Sequence, residues 1–202
     1  MLKKLVLMIC AVILLGAVSG CERMEDPFYG TGDLTLYNNT SLTISAFYLT
    51  PVNQPSWGPN RLEAPVPSGT NYTMTGFIPG TYDAKATIIG ALSTYYGYIY
   101  DIPIYPWETT DLDAYNSDFS GSVEIVNDTA GANITGIYIS PTGSGTWGPN
   151  QITSSIGPGQ FFHFYDLPAD SYDIRIVWNI GPDSFYYSNI VGSLTLLTLY
   201  VN

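Results

Sequence analysis

An internal duplication constrains this chain more than any other feature. Phe47-Tyr48-Leu49-Thr50-Pro51 returns 90 residues later as Ile137-Tyr138-Ile139-Ser140-Pro141. At the same spacing, Trp57-Gly58-Pro59-Asn60 recurs unchanged as Trp147-Gly148-Pro149-Asn150, and Tyr82-Asp83-Ala84-Lys85-Ala86 recurs as Tyr172-Asp173-Ile174-Arg175-Ile176. Ser68-Gly69 corresponds to Pro158-Gly159, the pair Tyr95-Tyr96 to Phe185-Tyr186, and Asn38-Asn39-Thr40 to Asn127-Asp128-Thr129 after a slip of one residue. A unit of about 80 residues is too long for a solenoid, whose repeats run roughly 20–50 residues. It suits a small self-contained β-sandwich.

Within each copy the polar and apolar residues alternate. Ala84, Ala86 and Ile88 oppose Asp83, Lys85 and Thr87, while Ile174, Ile176 and Trp178 oppose Asp173, Arg175 and Val177. Period-two alternation gives a strand one buried face and one wet face, as in antiparallel sandwiches. The chain is rich in Tyr, Thr, Ser, Gly and Pro, which favours strands and turns. Beyond residue 21 no apolar stripe keeps helical spacing for three turns. The expected fold is therefore all-β, with two tandem antiparallel sandwiches of about six or seven strands each. The predicted domains are residues 30–105 and 120–202. The acidic stretch 106–119 reads as a linker.

Two short segments carry a resemblance. Phe77-Ile78-Pro79-Gly80-Thr81-Tyr82-Asp83-Ala84 and Leu167-Pro168-Ala169-Asp170-Ser171-Tyr172-Asp173-Ile174 resemble a signature of transthyretin-like modules, which include the Cna-B and carboxypeptidase-regulatory-like repeats. There a turn leads into a strand headed by Tyr, and the resemblance implies an immunoglobulin- or transthyretin-like sandwich. Tyr-x-x-Pro followed by Trp-Gly-Pro-Asn is similar to tandem repeats of uncharacterised bacterial lipoproteins. The isopeptide cross-link of some relatives needs an interior Lys, and Lys85 falls on the wet face.

The first twenty residues read as a secretion signal. Lys3 and Lys4 precede an uncharged run, Leu5 to Leu15, and small residues lead to Cys21. That run is shorter than the ~20 residues a membrane-crossing helix needs. Val18-Ser19-Gly20-Cys21 resembles the lipobox of bacterial lipoproteins, which implies acylation of Cys21 and an extracytoplasmic protein anchored to the cell envelope at the outer membrane or cell surface. Residues 21–29 would be the lipidated tether. With Cys10 in the leader and Cys21 lipidated, no thiol remains for a disulfide, metal or nucleophile.

Without Lys3 and Lys4, four basic residues (Arg23, Arg61, Lys85, Arg175) stand against 17 acidic ones, a net charge of −13. Phosphate neutralisation needs a basic face, so a nucleic-acid partner is excluded. The expected partners are the membrane, through lipid, and an envelope protein or polysaccharide.

No catalytic set emerges. His163 is the single histidine and no nucleophile motif surrounds it. A His-ligated metal lacks a second His or a Cys, and no cofactor is expected. Asp111, Asp113, Asn116 and Asp118 offer enough oxygens for Ca²⁺ but lack the glycine turn and distal Glu of an EF-hand loop; a solvated acidic linker is the competing reading. Asp83 with Lys85, and Asp173 with Arg175, each share a face and read as cross-strand scaffold. Trp57 and Trp147, each before a Gly-Pro-Asn turn, either plug the open end of a sandwich or stand exposed to stack on sugars or a partner. Tyr95 and Tyr96 join them as candidate ligand-binding aromatics. The expected function is a non-catalytic structural or binding module, with carbohydrate binding through loop aromatics as the alternative and an envelope hydrolase a distant third.

Overall fold

The computed structural model describes residues 30–202. The signal 1–20 and the whole tether 21–29, with Cys21, lie outside the described residues. Twelve strands and one three-residue 3-10 turn make up the described regular structure. The first copy contributes β1 (Gly32–Asn38), β2 (Ile44–Pro51), β3 (Asn71–Phe77), β4 (Gly80–Ile89), β5 (Thr94–Ile104) and β6 (Thr109–Ala114). The second contributes β7 (Gly121–Asn127), β8 (Ile134–Pro141), β9 (Phe161–Leu167), β10 (Asp170–Trp178), β11 (Ser184–Val191) and β12 (Leu196–Val201).

These strands form four sheets, ordered β3-β1-β6, β2-β4-β5, β12-β7-β9 and β11-β10-β8. No sheet mixes strands of the two copies. In each copy two sheets close on one core. The first core gathers Leu34, Leu36, Phe47, Leu49, Ala84, Ala86 and Ile88; the second gathers Val123, Ile125, Ile137, Ile139, Ile174 and Ile176. The alternation along β4 and β10 thus points inward as the sequence implies. The sheets are not purely antiparallel, however. β6 runs parallel to β1 and β12 parallel to β7, so the first and last strands of each copy lie side by side. A parallel pair needs a long crossover, and here the rest of the module supplies it.

The linker reading of 106–119 is corrected by β6. Leu112 and Ala114 are buried while Asp111 and Asp113 face water, a period-two strand that its acidic outer residues conceal. The 3-10 turn Asn116–Asp118 follows, and Phe119 enters the first core. Residues 31–202 form one compact unit.

The seam between the copies is bonded. Ser120 N donates to Tyr96 O at 2.8 Å, Tyr96 N to Ser120 Oγ at 3.1 Å, and Ser93 and Ser122 share a buried hydroxyl contact of 2.7 Å. A Cβ on Gly97 would come within 3.0 Å of the Asp118 carbonyl and the Phe119 ring. Only glycine lets the chains approach so closely here.

Buried polar groups explain much of the repeat pattern. Asn38 is fully buried; its Nδ2 donates to Leu42 O (2.9 Å) and Val66 O (2.8 Å), while its Oδ1 accepts from Thr40 N (3.0 Å) and Thr40 Oγ1 (2.7 Å). Asn127 repeats this with Ala132, Ile156 and Thr129. All four bonding positions of each amide are used, which a buried amide requires. Tyr82 and Tyr172 are buried and donate their hydroxyls to Ile78 O (2.7 Å) and Pro168 O (3.0 Å), locking the turn before each strand. Burial pushes both phenols above the ordinary tyrosine range. Gly69 and Gly159 both have φ of 72° at the third position of a turn, the geometry that requires glycine.

Candidate functional site

The Trp-Gly-Pro-Asn loops are held by their asparagines. Asn60 Oδ1 accepts from Phe47 N at 2.9 Å and Leu62 N at 3.1 Å, while Arg61 N donates to Phe47 O at 2.7 Å. In the second copy Asn150 Oδ1 accepts from Ile137 N at 3.0 Å and Ile152 N at 3.3 Å, and Gln151 N donates to Ile137 O at 2.8 Å. Each loop is thereby fastened along the free edge of β2 or β8, and unpaired strand edges need such cover.

That anchorage sets the tryptophans. Neither plugs the end of a sandwich. Both are half-buried and lie against the outward face of the β2-β4-β5 or β8-β10-β11 sheet. Trp57 meets Tyr98 at 5.7 Å between ring centroids, tilted by 47°; Trp147 meets Phe185 at 6.0 Å and 45°. Tyr98 stacks on Tyr100 at 6.5 Å and 8°, as Phe185 does on Tyr187 at 6.2 Å and 7°. Cross-strand register explains the grouping, since Tyr48, Lys85 and Tyr98 form one row and Tyr138, Arg175 and Phe185 the other. Each outward sheet face is an aromatic platform with a cation at its centre.

This arrangement corrects the pairing of Tyr95-Tyr96 with Phe185-Tyr186. Lys85 faces Tyr98 whereas Arg175 faces Phe185, so the β10–β11 hairpin is three residues shorter than the β4–β5 hairpin. The counterparts of Phe185 and Tyr187 are therefore Tyr98 and Tyr100. Tyr95 points into the first core at 5% exposure, where burial raises its pKa against a hydrogen bond from Ser122. It is a strand residue unable to reach a ligand. Tyr96 faces outward and lines the platform with Trp57, Tyr48, Gly58, Lys85 and Thr87 around a shallow groove of about 330 Å³.

The cations differ between copies. Lys85 Nζ sits 4.3 Å from the centroid of Tyr96 and 5.7 Å from that of Tyr98. Arg175 lies 5.2 Å over Tyr138 and is gripped by Asp183 Oδ2, at 2.8 Å from Nε and 2.6 Å from Nη2. Asp83 and Asp173 do not pair with these cations among the described residues. They cap backbone bulges instead: Asp83 Oδ1 accepts from Asp101 N (3.1 Å) and Asp173 Oδ1 from Ser188 N (2.9 Å). Asp101 and Ser188 have φ of 58° and 55°, strained for non-glycine residues. The Ser188 N–H, followed by the Thr142 hydroxyl, holds the Asp173 carboxyl below its ordinary pKa.

The remaining candidates do not converge. Asp113 accepts from Asn39 Nδ2 (2.7 Å), Asn116 from Ser41 N (2.8 Å) and Asp118 from Tyr115 N (2.7 Å), while Asp111 stands outward on β6. Their oxygens serve separate donors, and among the described residues no three His, Cys, Asp or Glu side chains gather around a cation position. The Ca²⁺ reading is withdrawn on that ground. His163 lies on the outer face of β9, with Nδ1 3.1 Å from Tyr165 Oη and Nε2 3.1 Å from Glu124 Oε2, the latter without hydrogen-bond geometry. A concavity of about 530 Å³ beside it is lined by Gln151–Ile156 and Gly159–Phe162, without a titratable side chain.

No family model and no curated protein matches the chain. Fold likenesses among solved structures include the Bacillus anthracis TIE protein (15% identity, TM-score 0.30, covering 86% of this chain and 34% of that one). A shaft pilin SpaA of Lactobacillus rhamnosus GG gives 10% identity and TM-score 0.30, with 85% and 98% covered. A candidate adhesin from Bacteroides ovatus ATCC 8483 gives 10% identity and TM-score 0.35, with 92% and 98% covered.

Proposed function

We propose that this is a non-catalytic, lipid-anchored protein of the bacterial envelope whose two sandwiches act as binding modules through their outward aromatic platforms. The observation that carries the reading is the duplication of the platform itself. Trp57, Tyr98 and Tyr100 recur as Trp147, Phe185 and Tyr187 on the same sheet face, each tryptophan held by an asparagine of its own loop. Three large rings on a wet face are not needed to fill a core, since the apolar residues of each core point the other way. Rigid aromatic surface costs little conformational entropy on binding, and aromatic side chains are enriched at binding faces.

The leader ending at Cys21 supports attachment to the membrane through acyl chains, two of which suffice for stable anchoring. No helix among the described residues is long and apolar enough to cross a membrane. The boundaries that suit this reading are 32–114 and 121–201.

Tryptophan rings exposed in part on a wet sheet face favour a glycan over a protein partner, because the apolar face of a pyranose ring packs on an aromatic ring. A glycan array probed with the protein and with its Trp57→Ala/Trp147→Ala double variant tests this. Signals lost in a folded double variant support the reading, and signals unchanged in it refute it.

A further inference from the structure

The two platforms look alike but are not equivalent, and the difference lies at the seam. The groove of the first platform shares Tyr96 with a second groove of about 440 Å³ lined by Tyr96, Tyr98, Asp118, Phe119, Asp166 and Pro168. Asp166 and Pro168 belong to the second copy. Tyr98 Oη donates to Asp166 Oδ2 at 2.8 Å across the seam. Burial, then that bond and the carboxylate charge, hold the Tyr98 phenol well above its ordinary range, so it remains a donor at every physiological pH.

Asp166 itself is out of pattern. It stands where the first copy has Gly76; both have left-handed backbone, φ 63° for Asp166 and 84° for Gly76. Aspartate is one of the few non-glycine residues that tolerate this backbone region. Glycine would serve the turn better, whereas only Asp reaches Tyr98.

Charge selects the ligand class. Asp118 and Asp166 line the two grooves against one cation, Lys85, among the described residues, in a chain of net charge −11. Anionic sugars are disfavoured there. Carboxylates and a phenol hydroxyl suit the hydroxyl groups of neutral sugars, and aromatic faces suit the flat ribbons that equatorial linkages produce. On the second platform Arg175 is already neutralised by Asp183.

Building on the binding-module reading above, we propose that the first platform is the ligand site and that the second copy completes it. Its ligand is a neutral, equatorially linked oligosaccharide running from Trp57 over Tyr96 and Tyr98 to Asp166 and Asp118.

Calorimetric titration of the full-length protein in detergent micelles tests the inference. The probes are β-1,4-linked hexamers of glucose, mannose and xylose, the matching trimers, and a β-1,4-linked mannuronate hexamer. At least one neutral hexamer is expected to bind, and the mannuronate hexamer is not. Trp57→Ala should weaken binding by about tenfold or more, equivalent to 1.4 kcal/mol per factor of ten. Tyr98→Phe and Asp166→Ala, both at the surface, should weaken the hexamer more than the trimer, and Trp107→Ala, at an exposed ring outside the platforms, should leave both unchanged. The two surface variants keep the test decisive if Trp57→Ala unfolds. Stronger binding of mannuronate overturns the neutral-sugar assignment, and equal affinity for trimer and hexamer overturns the seam. Loss of binding in Trp147→Ala alone overturns the choice of platform while the binding-module reading stands. No heat from any hexamer, together with a blank glycan array, brings down both.

Discussion

Replacing Asn127 by alanine removes a buried amide whose four bonds can be followed one by one. Ile156 O keeps a partner, because Ile134 N also donates to it at 2.9 Å. Ala132 O keeps the Thr129 hydroxyl at 2.9 Å, and that hydroxyl retains Ala132 as its acceptor. Only Thr129 N is left with nothing. A stranded N–H of this kind costs about 1–3 kcal/mol, and each of the other three bonds contributes about 0.5–1.5 kcal/mol net. Asn127→Ala should therefore destabilise by roughly 2.5–7.5 kcal/mol, a large part of the ~5–15 kcal/mol that holds a typical protein folded. For a unit of this size each kcal/mol moves the melting temperature by about 2–4 °C, so a fall of roughly 5–30 °C is expected. Differential scanning calorimetry reads it, with the exposed neighbour variant Asp128→Ala as a control expected within about 0.5 kcal/mol of the parent. A fall below about 3 °C for Asn127→Ala would refute the claim that this amide holds the turn together.

Four further outcomes follow. Cys21→Ser should abolish fatty-acid labelling and release the chain from the membrane fraction, and label retained by the variant would exclude Cys21 as the acylation site. Trp147→Ala should cost about 1–2 kcal/mol rather than the ~3–5 kcal/mol of a core tryptophan, because the ring is half-buried on a sheet face; urea unfolding measures it. Asp173 is held below its ordinary pKa, so its ionised form stabilises the fold above the unfolded value of about 3.9. The advantage of the parent over Asp173→Asn should then be present at neutral pH and vanish as pH falls through the acid range, as thermal melts across pH would show. The bonded seam at Ser93, Ser120 and Ser122 should make the copies unfold in one calorimetric transition, and two separable transitions would contradict it.

The duplication and the period-two strands were legible because they concern which face of each residue meets the core. Ala84, Ala86, Ile174 and Ile176 lie inward as their alternation requires. β6 was hidden because two of its outward residues are aspartates and its buried residues are only Leu112 and Ala114, giving a weak hydrophobic signal. The platform was half legible. Trp57 and Trp147 stand out by repetition, but Tyr98 and Tyr100 did not, since a three-residue difference in hairpin length shifts them against Phe185 and Tyr187. Pairing register is set by the hairpin, and a constant spacing misreads it. Asn38 and Asn127 resemble incidental Asn-x-Thr triplets in sequence; only the fold shows carbonyls converging on them. The contact between Tyr98 and Asp166 joins residues 68 positions apart and has no local signature.

The sequence contains four tryptophans, Trp57, Trp107, Trp147 and Trp178, and their indole N–H resonances report directly on the platforms. Trp178 is tied to Ser184 Oγ at 2.9 Å, and Trp107 stands 76% exposed, outside the ring contacts that build either platform. Each resonance is assigned by its own substitution, and the protein is titrated in turn with the neutral β-1,4-linked hexamers of glucose, mannose and xylose. The Trp57 resonance should shift in a saturable way with at least one of them while Trp178 and Trp107 stay still. Four unmoved resonances with every hexamer, or a shift confined to Trp107, would contradict the claim that the outward aromatic faces are the binding surface.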